Sequence, residues 1–210
     1  MTILEEKKKL RKEISEKIKL LSEEQKNKES LLCSEKIISL DAFSSSDYVL
    51  SYMSMKNELC ADLVNRRAVS DGKKLFLPRV INETGVMEFY SSAFDFKTDA
   101  PGGEFESGSW GILEPRADEK NLLVPENISS GKNVIVIVPG AAFTESGERL
   151  GRGRAFYDRY LLRLKNASEK NGFHVTTAGA GFSVQLVDSV PCESTDILLD
   201  YVCCPAVCQL

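Results

Sequence analysis

Between Gly147 and Arg154 the chain reads Gly-Glu-Arg-Leu-Gly-Arg-Gly-Arg, which sets Arg149, Arg152 and Arg154 among closely spaced glycines. Guanidinium groups fork onto phosphate oxygens, and Gly151 and Gly153 let the backbone come close to a ligand. The segment leaves an apolar strand, Val134 to Val138, and enters a helical stretch carrying Tyr157 and Asp158. A loop of that kind offers free N–H groups and the positive end of a helix dipole, which suits a polyanion. The segment is therefore read as a phosphate site. It is neither of the common nucleotide motifs. No Lys followed by Ser or Thr closes it, and Phe156 stands where the third glycine of the dinucleotide fingerprint would fall. A solvent-facing basic connection is the competing reading. Two close glycines, three arginines and the Phe156-Tyr157 pair, in a net-acidic chain, outweigh it.

The opening segment holds a second group of cations. Leu10, Ile14, Ile18 and Leu21 recur at helical spacing, and at about 100° per residue Lys7 and Arg11 share their stripe. Lys8, Lys9, Lys12 and Lys19 fall outside it. Long stems can cover apolar surface while their heads reach water. That reading and an inward-facing anion site carry equal weight for Lys7 and Arg11.

The elements that must position these groups follow from the pattern. Ser22 to Gln25 is a capping box that opens a second helix ending near Leu40. A strand follows at Tyr48 to Met53, a helix from about Cys60 to Val69 stopped by Gly72, and a strand from Lys74 to Pro78. Met87 to Tyr90 reads as a short, more exposed strand. Ser91 to Trp110 is polar and Gly-rich without a period, a candidate lid. Strands at Val134 to Val138, Val175 to Gly181 and Leu198 to Cys203 complete the pattern, with a helix from Arg154 to Leu164 between the first two. Strands apolar on both faces that alternate with helices predict a three-layer α/β/α fold. Its mostly parallel open sheet is Rossmann-like and covered by helices.

At 210 residues with 42% hydrophobic content, one domain spanning residues 1–210 is expected. A net charge of −4 argues against a general nucleic-acid or anionic-membrane binder. An RNA-associated role for the basic opening helix is disfavoured on the same ground. No apolar run approaches the roughly 20 residues of a membrane span. Met1 to Arg11 is charged from Glu5 onward, unlike a secretory signal, so the expected location is the cytoplasm. The six cysteines include no Cys-x-x-Cys pair and are expected to be buried reduced thiols. His174, the only histidine, leaves little room for a His-based triad or zinc site.

With these residues in place, the chain resembles the 5-formyltetrahydrofolate cyclo-ligase (5,10-methenyltetrahydrofolate synthetase) family. The matching pieces are Lys7 to Arg11, Ser54 to Glu58, Gly72 to Pro78, Trp110 to Pro115, Pro139 to Asp158, and Gln185 with Pro191 and Asp196. Arg149 to Gly153 leading to Tyr157-Asp158 is the most specific of them.

The resemblance implies an ATP- and Mg²⁺-dependent ring closure of 5-formyltetrahydrofolate, polyglutamylated or not, to 5,10-methenyltetrahydrofolate. It implies a monomeric enzyme of one-carbon metabolism with no macromolecular partner. Catalysis would fall to Arg149, Arg152 and Arg154. Lys7, Arg11, Arg149, Leu150, Gly151, Arg152, Gly153, Arg154 and Tyr157 would hold ATP. Met53, Glu58, Trp110, Arg152 and Phe156 would contact the folate, and Asp158 and Asp196 the Mg²⁺. Plainer roles compete at single positions: core packing for Met53 and Trp110, a helix-start acid for Glu58, an ion pair with Arg154 for Asp158, a turn for Asp196. The family usually has Gly where Ala155 stands and Tyr where Phe156 stands. A non-catalytic folate- or nucleotide-binding module is the alternative those departures motivate.

Overall fold

The structure, a computed structural model, describes residues 2–81, 85–92, 105–108, 113–193, 196–205 and 207–209. Helix α1 (Ile3–Leu20) starts in a capping box formed by Thr2 and Glu5, and α2 (Glu23–Ser39) in the expected box of Ser22 and Gln25. The four-residue α3 (Asp41–Ser44) leads into β1 (Tyr48–Leu50), α4 (Asp62–Ser70), β2 (Lys74–Ile81) and β3 (Val86–Ser91). Two short hairpin strands, β4 (Phe105–Ser107) and β5 (Leu113–Pro115), precede the central strand β6 (Asn133–Pro139). A second small hairpin, β7 (Ala142–Phe143) with β8 (Arg149–Leu150), leads to α5 (Phe156–Asn171). Strands β9 (His174–Ala180), β10 (Tyr201–Cys204) and β11 (Val207–Gln209) follow.

The main sheet has the order β11-β10-β9-β6-β1-β2-β3. Its central strands are parallel, and the edges β3 and β11 are antiparallel to their neighbours. Alternation in β6 shows why the sheet is sandwiched. Ile135 and Ile137 face a core built with Ile14, Ile37 and Val64 of α1, α2 and α4. Val134, Val136 and Val138 face Leu161 and Leu164 of α5. Both sets are buried, which is why the strand reads as one unbroken apolar run. The three-layer Rossmann-like expectation therefore holds. Among the described residues, no helix is long and apolar enough to cross a membrane.

Several local expectations are corrected. Met87, Phe89 and Tyr90 are buried rather than exposed, because α5 packs over β3 and bolts to it through Arg163 and Glu88 at 2.8 Å. Strand β2 runs through Pro78 to Ile81, since β1 pairs only as far as Phe76 and a missing N–H beyond it costs no bond on that side. Helix α5 starts at Phe156, two residues later than expected, and runs to Asn171, where Gly172 ends it with a left-handed φ of +73°. Cys33, Cys203 and Cys204 are buried free thiols as expected, whereas Cys192 is exposed. The lid expected over Ser91 to Trp110 lies mostly outside the described residues.

Candidate active site

Chain order in the sheet reverses between β1 and β6, since β2 and β3 lie to one side and β9 and β10 to the other. Crevices at the carboxyl ends of strands form at such switch points. A cavity of about 390 Å³ lies there. Tyr52 and Met53, just past β1, and Pro139, the end of β6, belong to its lining. Met55 and Glu58 add to that side, Pro78, Val80, Met87, Leu113 and Glu114 make an outer wall, and Arg149, Gly151, Arg152 and Arg154–Asp158 make the remaining one.

The arginine segment was read as a plain strand-to-helix loop, yet it contains the β7–β8 hairpin. Ala141 N–H donates to Leu150 O at 2.7 Å, and buried Gln185 donates through Nε2 to Gly140 O at 2.8 Å and to Ala141 O at 3.2 Å. Gly147 turns the hairpin at φ +90°, where a Cβ would collide with Leu199 O.

Arg149 is thereby drawn inside. It donates to Pro139 O at 3.2 Å and Asp158 Oδ1 at 2.7 Å, its guanidinium lies 5.8 Å from the centre of the Tyr157 ring, and its Nε is buried without a partner among the described residues. Much of its donor capacity is spent on the protein. Leu150 is a core side chain packed with the helices of one sheet face. Arg152 is half-exposed and pairs with Glu58 Oε1 at 3.0 Å, and Arg154 also lines the cavity.

Glu58 is nearly enclosed. Burial pushes its carboxyl pKa up, opposed by Arg152 and by the Met55 N–H, which donates to Oε2 at 3.0 Å. Burial, with the nearby Glu58 charge, also raises the pKa of the Tyr157 hydroxyl. Met53 both lines the cavity and packs on the core, so its two readings coincide. Phe156 lines the cavity with the Arg159 guanidinium 5.5 Å from its ring centre. Trp110 lies outside the described residues.

The opening helix meets this loop. Arg11 Nε donates to Gly151 O at 2.8 Å, and its guanidinium lies beside Gly153, which has φ +101°. Lys7 does not snorkel: its side chain is 9% exposed, and Nζ donates to Glu193 Oε2 and Asp196 Oδ2 at 2.8 Å each. Burial alone would lower the Lys7 pKa, but those two carboxylates hold it above its ordinary value. Burial would likewise raise Asp196, yet Lys7 and the Glu193 N–H keep it below the ordinary range. Asp158 pairs with Arg149 rather than with Arg154 as the plainer reading expected. Lys7, Arg11, Leu150, Gly153 and Asp196 stand outside the cavity lining.

Sequence reasoning missed Tyr52, Val80, Met87, Leu113, Glu114 and Glu193 as site residues. Leu113 and Glu114 lie in the Trp110 to Pro115 piece that carries part of the resemblance but were given no role, and Glu193 lies in a loop. Only the tertiary contacts mark them.

The sequence profile described as the 5-formyltetrahydrofolate cyclo-ligase family matches residues 3–205. The chain is 27% identical over 205 residues to the 5-formyltetrahydrofolate cyclo-ligase of Mus musculus, covering 96% of this chain and 95% of that protein. It is 29% identical over 160 residues to that of Escherichia coli (strain K12), covering 75% and 78%. Its structure is similar to the NMR structure of Aquifex aeolicus 5,10-methenyltetrahydrofolate synthetase, with a TM-score of 0.74, 28% identity and coverage of 97% and 91%. With the profile spanning both the switch-point cavity and the arginine hairpin, the chain belongs to the 5-formyltetrahydrofolate cyclo-ligase family of enzymes.

Proposed function

We propose that this enzyme converts 5-formyltetrahydrofolate and ATP to 5,10-methenyltetrahydrofolate, ADP and phosphate, as a monomer in the cytoplasm. The observation that carries the reading is the 3.0 Å pair between Glu58 and Arg152. It joins the apolar wall suited to a pterin to the glycine-arginine segment suited to phosphates, so both co-substrates meet in one cavity.

The formyl oxygen of an N-formyl amine is a poor leaving group on a poorly electrophilic carbon. Attack of that oxygen on the γ-phosphorus of ATP, with ADP as the leaving group, repairs both defects. N10 then attacks the activated carbon, loses its proton, and phosphate departs as the ring closes. Arg152 and Arg154 neutralise charge on the transferring group, and Arg149 adds its charge from the cavity wall. Arg11 and Lys7 hold the hairpin side of the triphosphate.

Asp158 and Asp196 would hold Mg²⁺. Each spends one oxygen on its cation, Oδ1 on Arg149 and Oδ2 on Lys7. Their hard oxygens fit an ion that also takes phosphate oxygens and water, and no cage of three protein ligands is required. Bound there, the ion would neutralise triphosphate charge.

The test is purified protein with Mg·ATP and 5-formyltetrahydrofolate, following methenyl absorbance and phosphate release together. Equal amounts of both products are expected. Absence of both overturns the reading, and tight folate retention without ATP consumption favours a binding module instead.

A further inference from the structure

Glu58 has both carboxylate oxygens engaged by the protein, Oε1 with Arg152 and Oε2 with the Met55 N–H. A second acid lines the same cavity. Glu114 on β5 is buried, at 6% exposure. Its position is built from several directions. Strand β5 pairs with β4 in the register Glu106 to Glu114. Arg79 of β2 donates to Pro115 O at 2.9 Å and pairs with Glu106, which pins this hairpin to the main sheet. The backbone at Gly108 passes so close that a Cβ there would overlap the Glu114 carboxyl group.

A carboxylate is costly to bury unless its lone pairs find donors. Burial raises the pKa of Glu114, opposed by the Val80 N–H and by Arg79, while Glu106 adds to the rise. Among the described residues, the one backbone donor, Val80 N–H, leaves most of the acceptor capacity of a carboxylate unused. Pro78, Val80, Met87 and Leu113 line the same cavity and give it apolar surface that a flat ring can lie against.

We propose that Glu114 is a second substrate-binding residue, which accepts the paired N–H donors on the amino-pyrimidinone edge of the pterin. The proposal rests on the folate reading given above. Two parallel donors on one ring edge match a carboxylate bidentately. Glu58 then has a separate task, which is to hold Arg152 at the reacting end.

The test compares equilibrium binding of 5-formyltetrahydrofolate and its 2-desamino analogue to the wild type, Glu114→Ala, Glu114→Gln and Glu58→Gln, with initial rates beside it. The analogue lacks one donor of the ring edge. The wild type should bind it about 10- to 100-fold more weakly than the parent. Glu114→Ala should bind both with nearly equal, weakened affinity and leave the KM for ATP unchanged. Should Glu114→Ala fail to fold, Glu114→Gln keeps the shape and loses the same discrimination. Glu58→Gln should keep the discrimination while losing turnover. Full discrimination in both Glu114 variants, or its loss in Glu58→Gln alone, overturns the assignment of Glu114 while the wild type still cyclises folate. A wild type that neither binds nor cyclises folate overturns the underlying reading instead.

Discussion

Arg11 Nε donates a 2.8 Å hydrogen bond to the carbonyl oxygen of Gly151, 140 positions away in sequence. The bond ties the first helix to the turn between two arginines, and the bulk of that guanidinium fills the space beside Gly153. Position and charge thus come from one side chain. Arg11 of the opening helix thus acts on the same loop as Arg152, although nothing in their spacing along the chain connects them.

Arg11→Ala should loosen this turn and raise the KM for ATP by about tenfold, since hydrogen bonds from charged donors contribute about 1.5–3 kcal/mol. Lys8→Ala, on the exposed side of α1 outside the stripe, should leave it unchanged. Steady-state kinetics at varied ATP separate the two. Equal effects would show that the helix acts only through general charge.

Arg152→Ala should lower turnover by about 100-fold, corresponding to about 3 kcal/mol for one preorganised donor. Its side chain is 46% exposed, so stability should change little. Glu58 would lose its cation, and its already raised pKa should climb further. Phosphate-release rates and urea midpoints read both outcomes, and an unaltered rate would remove this arginine from the chemistry.

Ala155→Gly should stabilise the fold by about 0.5–1 kcal/mol. Ala155 is the only non-glycine residue with positive φ among the described residues, at φ +52° and ψ +25° at the start of α5. A Cβ in that region costs about 1–2 kcal/mol, partly offset by the greater freedom of glycine in the unfolded chain. No side-chain cap is lost by the change. Denaturant midpoints check the sign, and a destabilised variant would mean that the alanine methyl group packs usefully.

Asp196 should contribute to stability at neutral pH and lose that contribution in acid. Its pKa is depressed below the ordinary 3.8, so the unfolded chain binds its proton first as pH falls. The contribution is full above that ordinary value and disappears as the pH drops through the lower native one. Asp196→Asn should therefore flatten the acid limb of the stability curve below about pH 4. Chemical denaturation across that range tests this, and an unchanged limb would mean that Lys7 is held by Glu193 alone.

The run Val134 to Val138 was legible as a central strand because both faces of a helix-covered parallel sheet are apolar, which leaves no alternation to misread. That Arg149, Arg152 and Arg154 gather beside one cavity was legible too, since glycine spacing and guanidinium chemistry are local properties. Periodicity likewise placed Lys7 and Arg11 inward, because a helix face is set by residue spacing alone. Partners are a different matter. That Lys7 meets Glu193 and Asp196, that Arg149 is taken by Asp158 and Pro139, and that Glu114 reaches the cavity all depend on contacts between distant segments. A sequence fixes which groups carry charge and which face of an element they occupy. Folding decides which opposite charges consume one another and which are left facing a ligand, because the strength of an ionic contact depends on separation and burial, and neither is a property of a residue's neighbours in the chain.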